Sequence, residues 1–219
     1  MEEGTALIVT VLLLTLVGAL AAALALTTAS EAILAGDFGR AQEARYAAEA
    51  ALERATSDLS ALADWNAALG GLALSPFADG PPNGVRTLDG GVVVDVAAAA
   101  NAANCGKTTT CSAADLTANA TGQRPWGADN PVWRPFAYGP LAAMVPGGVV
   151  HSAFYVIVFV GDDPAEIDGN PLVDANGAVA LRAEAFGPRG AHKAIVAVVE
   201  RANRPPWVRI RTEQLSGVM

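Results

Sequence analysis

The sequence predicts an α+β fold in which a long N-terminal helix, membrane-spanning in its first half, packs on a C-terminal antiparallel β-sheet. Three observations predict it: an uncharged apolar segment near the N-terminus, a proline-free amphipathic continuation, and strongly β-branched segments after residue 150. They divide the chain into residues 1–4 ahead of the apolar segment, a transmembrane helix at 5–30, an amphipathic helix at 31–65, and a β-rich domain at 66–219.

The apolar segment is long enough to cross a bilayer. Thr5–Leu26 contains 22 residues without a charge, which as a helix span roughly 33 Å against a hydrocarbon core of about 30 Å. A secretory signal peptide is the alternative, but its apolar part is usually about 7–15 residues long and follows a basic start. Here the start is Met1-Glu2-Glu3, so a retained span is favoured over a removed signal.

The next segment predicts a helix with one apolar face. Two sets of residues at seven-residue spacing form this stripe, which is apolar except at one arginine. The sets are Phe38, Arg45, Leu52 and Leu59, and Ala41, Ala48, Ala55 and Leu62. Gly36 and Gly39 predict a bend or a melted turn between the two halves of the helix.

Glycine- and proline-rich turns follow Trp65, and they indicate a change to β structure. Val92–Val96 is a short strand candidate, and residues 99–131, poor in large apolar side chains, predict a long surface excursion. Ser152–Val160 is continuously apolar, which predicts a strand buried on both faces.

A hairpin and one final strand complete the predicted sheet. Ala178–Phe186 and Ala191–Glu200 flank a four-residue loop. If Phe186 faces Ala191, then Glu184 faces Lys193 as an opposite-charge pair. Trp207–Thr212 predicts the last strand, and the sheet is expected to pack against the helix stripe.

Composition argues against two classes of function. The net charge of -8 argues against a nucleic-acid binder, which usually presents a basic face. No nucleotide-binding loop, hydrolase elbow or zinc-protease motif is present, and His151 and His192 are interpreted as strand-edge residues, so we expect no enzyme. The tryptophans are interpreted mostly as core or loop anchors, with Trp126 and Trp133, among prolines, as a candidate recognition surface.

Two cysteines, Cys105 and Cys111, lie in one short polar loop downstream of the apolar segment. This placement favours a small-loop disulfide in an oxidising, extracytoplasmic compartment over two unpaired thiols.

An acidic loop follows the strongest strand and offers hard oxygen ligands of the kind that Ca²⁺ prefers. Its candidate ligands are Asp162, Asp163, Asp168, Asn170, Asp174 and Asn176. Their spacing does not match an EF-hand, and a solvated turn between strands is the alternative. Structural calcium is the one cofactor that the sequence suggests.

The N-terminal region resembles that of PilX-like type IV minor pilins. The resemblance covers roughly residues 4–62 and rests on the start Gly4–Val9, the apolar segment, and Phe38–Glu53, of which Tyr46–Ala50 is the most specific part. It implies a pilin-like fold, a short prepilin leader at residues 1–4, cleavage after Gly4 by a prepilin peptidase, and Thr5 as the new N-terminus.

The resemblance also implies partners and a location. The helix is expected to lie first in inner-membrane lipid, with the domain outside the cytoplasm, and then among other pilin subunits in a filament at the cell surface. Val9 stands where major pilins carry a glutamate, which points to a minor subunit, while the acidic residues before Gly4 depart from the basic leader of the family. A tip pseudopilin of type II secretion and a signal-anchored extracellular binding module remain alternatives.

Overall fold

In a computed structural model, the described part of the chain comprises residues 3–88, 90–118, 124–144, 151–202 and 208–211. Four α-helices and seven β-strands lie in these ranges. The helices are α1 (Glu3–Ser60), α2 (Asn66–Leu69), α3 (Val96–Cys105) and α4 (Ala113–Thr117). The strands are β1 (Val85–Thr87), β2 (Val93–Asp95), β3 (Arg134–Pro140), β4 (Tyr155–Asp162), β5 (Ala178–Phe186), β6 (His192–Arg201) and β7 (Val208–Arg211).

The chain divides into two units: an N-terminal unit of residues 1–40 and a globular unit of residues 41–219. The described part of the N-terminal unit is helical throughout. The melted turn expected at Gly36 and Gly39 is therefore wrong: both residues lie within α1, and Arg40 pairs with Asp37 one turn away. Each glycine destabilises a helix by only about 1 kcal/mol relative to alanine, so the good helix formers on both sides are sufficient to keep this segment helical.

In the globular unit, residues 41–60 of α1 pack on the sheet through small side chains. The stripe buried there consists of Ala44, Ala47, Ala48, Ala51, Leu52, Ala55 and Leu59. The predicted stripe was correct at its C-terminal end but wrong at Phe38, Ala41 and Arg45, which are exposed. The buried face instead runs through Ala44, Ala48, Ala51, Ala55 and Leu59, in steps of three and four residues that follow the helical period rather than a strict seven-residue repeat.

The main sheet has five antiparallel strands in chain order, β3-β4-β5-β6-β7. Together with α1 it confirms the predicted α+β class. Every residue of β4 is buried, as expected for a central strand covered on both faces. One face, with Val156, Val158 and Val160, packs on α1, and the outer face carries Tyr155, Ile157 and Phe159.

The β5–β6 hairpin is offset by one residue from its predicted pairing. Phe186 pairs with His192 rather than Ala191, so Glu184 lies opposite Ala194 and not Lys193. The connection contains a short 3-10 turn at Pro188–Gly190, which requires one residue more than the predicted loop. A methyl group on Gly187 would lie 2.2 Å from the Phe154 ring, so only glycine fits where this connection begins.

A second layer covers part of the outer face of the sheet. It contains α3 and the two-stranded sheet of β1 and β2. Val92 before β2, Val94 within it and Val96 at the start of α3 share a core with Tyr138 and Phe159. The predicted strand at 92–96 is therefore shorter, and the surface excursion predicted for 99–131 contains two helices instead. Asp95 caps α3 by accepting the N–H groups of Ala97 and Ala98.

Candidate functional site

The N-terminal unit exposes a continuous apolar surface. Leu7, Leu14, Leu20 and Leu26 are 58–72% exposed, and no residue in the most apolar part of this helix is buried. Within the described residues, α1 is one helix long and apolar enough to cross a membrane. Gly4 and Thr5, the predicted processing residues, lie in its first turns.

Hydroxyl groups in this apolar segment are satisfied by the helix itself. Thr10 donates to the Ala6 carbonyl at 2.8 Å, and Thr15 donates to the Leu12 carbonyl at 2.9 Å. Farther along, Thr27 and Thr28 both donate to Leu24, and Ser30 donates to Leu26 at 3.0 Å. Because these hydroxyl groups donate to carbonyls of their own helix, they need no hydrogen bond to water, which suits a helix placed in hydrocarbon.

Small residues form a second feature of the same surface. At alternating four- and three-residue steps, which keep to one helix face, they are Gly18, Ala22, Ala25, Ala29, Ala32, Gly36 and Gly39. A methyl group added at Gly18 or Gly39 meets nothing within 4 Å beyond its own helical turns. Packing within the chain therefore does not require glycine at these two positions.

The two cysteines form a disulfide that joins the C-terminal end of α3 to the residue before the Ser112 cap of α4. Lys107 lies inside the closed loop and contacts the Asp115 carboxylate at 2.7 Å. The Lys107 ammonium and hydrogen bonds from Ser112 hold the pKa of Asp115 at about 2. The loop is thus fastened to α4 by a covalent bond and an ion pair.

The acidic loop mostly binds its own backbone. Asp163 accepts the N–H of Ala165, Asp168 accepts that of Asn170, and Asp174 accepts those of Gly177 and Ala178. Asn176 also accepts from Ala178. Among the described residues, no three Asp, Glu, His or Cys side chains come together as a metal site. The structure therefore gives the suggested calcium site no support.

One carboxylate of this loop differs from the others. Asp162, at the end of β4, is 3% exposed, and its Oδ1 atom has no hydrogen-bond partner. Burial and the charge of Glu166, with smaller contributions from Asp174 and Asp168, raise the pKa of Asp162 to about 7. The buried group is thus partly protonated at neutral pH.

The offset in the hairpin creates a charged cluster on the outer face that the sequence did not predict. Glu184 is 5% exposed and accepts from Arg182 Nε at 2.5 Å, while its other oxygen lies 2.9 Å from His192 Nε2. Burial alone would raise the pKa of Glu184, but the bond to His192 and the charge of Arg182 together lower it. The His192 ring also stacks on Phe186, with centroids 4.6 Å apart.

An apolar groove lies beside this cluster on the outer face. Its walls are formed by Trp126, Pro131, Trp133, Pro164, Val196 and Val198. Ala180 of β5 completes it, and Gly161 of β4 lets the wall approach the sheet, since a methyl group there would lie 2.9 Å from Pro131. Trp126 and Trp133, singled out in the sequence as a candidate recognition surface, are thus brought together on one groove. In the sequence, the prolines around these two tryptophans were what pointed to such a surface.

No protein-family model, curated protein or solved structure matches this chain.

Proposed function

We propose that this chain is a minor pilin-like structural subunit of a type IV pilus. Residues 5–30 hold it in the inner membrane, with the globular unit outside the cytoplasm, until the same helix enters a filament. The exposed apolar surface of α1, with its internally bonded hydroxyls, carries this proposal. Such a surface needs an apolar environment, and lipid or neighbouring helices provide one.

The stripe of small residues supports the second half of the proposal. In a bilayer, lipid tails are as apolar as leucine side chains, so helices associate through close packing rather than through the hydrophobic effect. The side chains of Gly18, Ala22 and Ala25 on one face of α1 are small, which allows the backbone of a neighbouring helix to approach closely. Leu16 and Leu20 lie on the opposite side, where contact with lipid requires no such fit.

The N-terminal sequence supports processing. The resemblance to PilX-like minor pilins assigns the peptide bond between Gly4 and Thr5 to a prepilin peptidase, and Val9 favours a minor subunit. Residues after the cut continue the same helix, so removal of the leader leaves the apolar surface intact.

The mass of the mature chain tests the processing step. We expect the full chain, expressed with a prepilin peptidase in a piliated host, to begin at Thr5 in membranes and in sheared filaments. A Gly4→Leu variant should keep residues 1–4 and stay out of filaments, whereas Gly18→Ala should be processed normally. A wild-type chain that keeps residues 1–4, or that never leaves the membrane, would contradict the proposal.

An anchored extracellular binding module is the second candidate, because the outer-face groove places two tryptophans on one apolar surface. The same helix would then act only as a tether. Recovery of the chain in membranes but not in filaments favours this function. Recovery in a type II secretion pseudopilus instead of a type IV pilus would identify the third alternative, a tip pseudopilin.

A further inference from the structure

The outer edge of strand β6 is only partly covered. β6 extends from His192 to Arg201, whereas β7 pairs with Val198–Arg201 alone. Among the described residues, no strand lies beside the rest of this edge, residues 192–197, which we call the open edge. An open edge matters because its unpaired N–H and C=O groups are a template on which another chain can add a strand.

The hydrogen bonds to β5 show which backbone groups of the open edge lack a partner. The N–H of Arg201 donates to the Gly177 carbonyl, on the β5 side, at 2.8 Å. Backbone groups alternate between the two sides of an antiparallel strand, so odd-numbered residues of β6 bind β5 and even-numbered ones face the other way. The residues of the open edge that face away from β5 are His192, Ala194 and Val196. Within the described part of the chain, nothing bonds to their backbone groups on that side.

The opposite edge of the sheet is covered by the chain itself. It is formed by β3, and the N–H of Ser75 donates to the Phe136 carbonyl at 2.8 Å. The N–H of Asp79 donates to the Tyr138 carbonyl at 3.1 Å. A segment of the same chain thus pairs with one edge, and the same arrangement at the open edge requires a segment that reaches it.

The register of β7 identifies such a segment. Val198 pairs with Arg211 and Arg201 pairs with Val208, so one step back along β6 corresponds to one step forward along β7. Continued in this register, residues 212–217 fall opposite residues 192–197 and match the open edge residue for residue. Their sequence, Thr-Glu-Gln-Leu-Ser-Gly, contains no proline, so every N–H can donate to a neighbouring strand.

We propose that residues 212–217 continue β7 along β6 and close the open edge, so that no other chain can add a strand there. Alternation assigns the new hydrogen bonds: Leu215 exchanges them with Ala194, and Glu213 exchanges them with Val196. The N–H of Gln214 then faces away from β6. This role concerns the globular unit alone and does not depend on filament assembly.

Residue-resolved hydrogen exchange on the full chain in detergent micelles tests the proposal. In the wild type, we expect the amides of Ala194 and Val196 to be protected, as those of Lys193 and Ile195 are through β5. Leu215→Pro removes the N–H that donates to Ala194 and displaces the new strand, so exchange at Ala194 should become at least about tenfold faster. The amides that bind β5 should keep their protection, which shows that the sheet remains folded.

A matched variant separates strand pairing from a general effect of proline. Gln214→Pro removes an N–H that faces away from β6, and proline is tolerated at such edge positions, so Ala194 should stay protected. Unprotected amides at Ala194 and Val196 in the wild type, or equal protection in Leu215→Pro, would overturn the proposal. Protection that increases with protein concentration would assign the open edge to a second copy and would also overturn it. The wild-type comparison of Ala194 with Lys193 needs no variant.

Discussion

The two halves of α1 use the same residue type for opposite purposes. In the globular unit, Ala44, Ala48 and Ala55 are completely buried because the sheet lies directly on them. In the N-terminal unit, the side chains of Ala22 and Ala25 are exposed. Small side chains allow close approach in both places, but only the C-terminal half, residues 41–60, packs against a partner within the globular unit. This difference supports the proposal that residues 5–39 pack first against lipid and then against neighbouring subunits.

The largest expected effect is a difference in the free energy of unfolding between matched substitutions in the two halves of α1. Leu59→Ala removes a side chain that is 0% exposed in the core between α1 and the sheet, and it should lower the free energy of unfolding by about 2–5 kcal/mol. Leu20→Ala, at a position 58% exposed, is the matched control and should leave it unchanged. Denaturant unfolding in detergent, followed by tryptophan fluorescence, measures both. Equal losses would mean that the N-terminal half shares the core of the globular unit.

A smaller effect comes from enlarging alanines. Ala48→Leu introduces three carbon atoms where α1 meets the sheet and should cost about 1–3 kcal/mol through overpacking. The same change at Ala22 should leave the unfolding of the globular unit unaltered, because that side chain is exposed. Melting of the two variants in one detergent gives the comparison, and a loss at Ala22 as large as at Ala48 would refute it.

The smallest effect concerns pH. Asp162 has its pKa raised to about 7 from an ordinary value of 3.8, so the folded state favours the protonated acid. The contribution of Asp162 to the free energy of unfolding is therefore greatest below about pH 4, and it is lost as the pH rises through 7. Asp162→Asn should remove that decline and stabilise the globular unit by on the order of 1–2 kcal/mol at pH 8.

The control for this pH effect is a neighbouring exposed acid. Asp168→Asn changes a side chain in the same loop that is exposed and binds the backbone of Asn170, so the decline between pH 4 and 8 should remain. Thermal melting across this range measures both variants. A wild-type curve that is flat, or one that rises from pH 4 to 8 in parallel with that of Asp162→Asn, would contradict the assigned role of Asp162.

The sequence predicted those parts of the fold that rest on strong patterns. The N-terminal helix and strand β4 are each encoded by an uninterrupted apolar run, and few other structures are compatible with runs of these lengths. Strand β3 was not predicted, because Pro135 and Pro140 interrupt its pattern. As an edge strand it tolerates them, and the backbone of Ser75 and Asp79 covers its outer side. Helix α3 was missed because an alanine- and asparagine-rich stretch resembles a loop, although Asp95 and Gly106 mark its two ends.

The candidate sites were less predictable than the fold. A one-residue offset at the 3-10 turn decides that Glu184 meets His192 rather than Lys193. Residues that line the groove come from four separate segments, so no spacing in the sequence relates Trp126 to Val196. The prediction of cleavage at Gly4 remains a prediction. Trp207 and Thr212, which bound the predicted last strand, lie outside the described residues, while β7 occupies the positions between them.

Incorporation of two tryptophan variants into filaments tests the central claim most directly. Ala22→Trp places a large ring within the stripe of small residues, and Ala23→Trp makes the same change about 100° farther around the helix, off the stripe. Quantitative mass spectrometry of sheared filaments and membranes measures the incorporated fraction of each. We expect normal membrane levels for both variants and incorporation impaired at least about tenfold for Ala22→Trp alone. Equal incorporation of the two variants would contradict a filament role for this face of the helix.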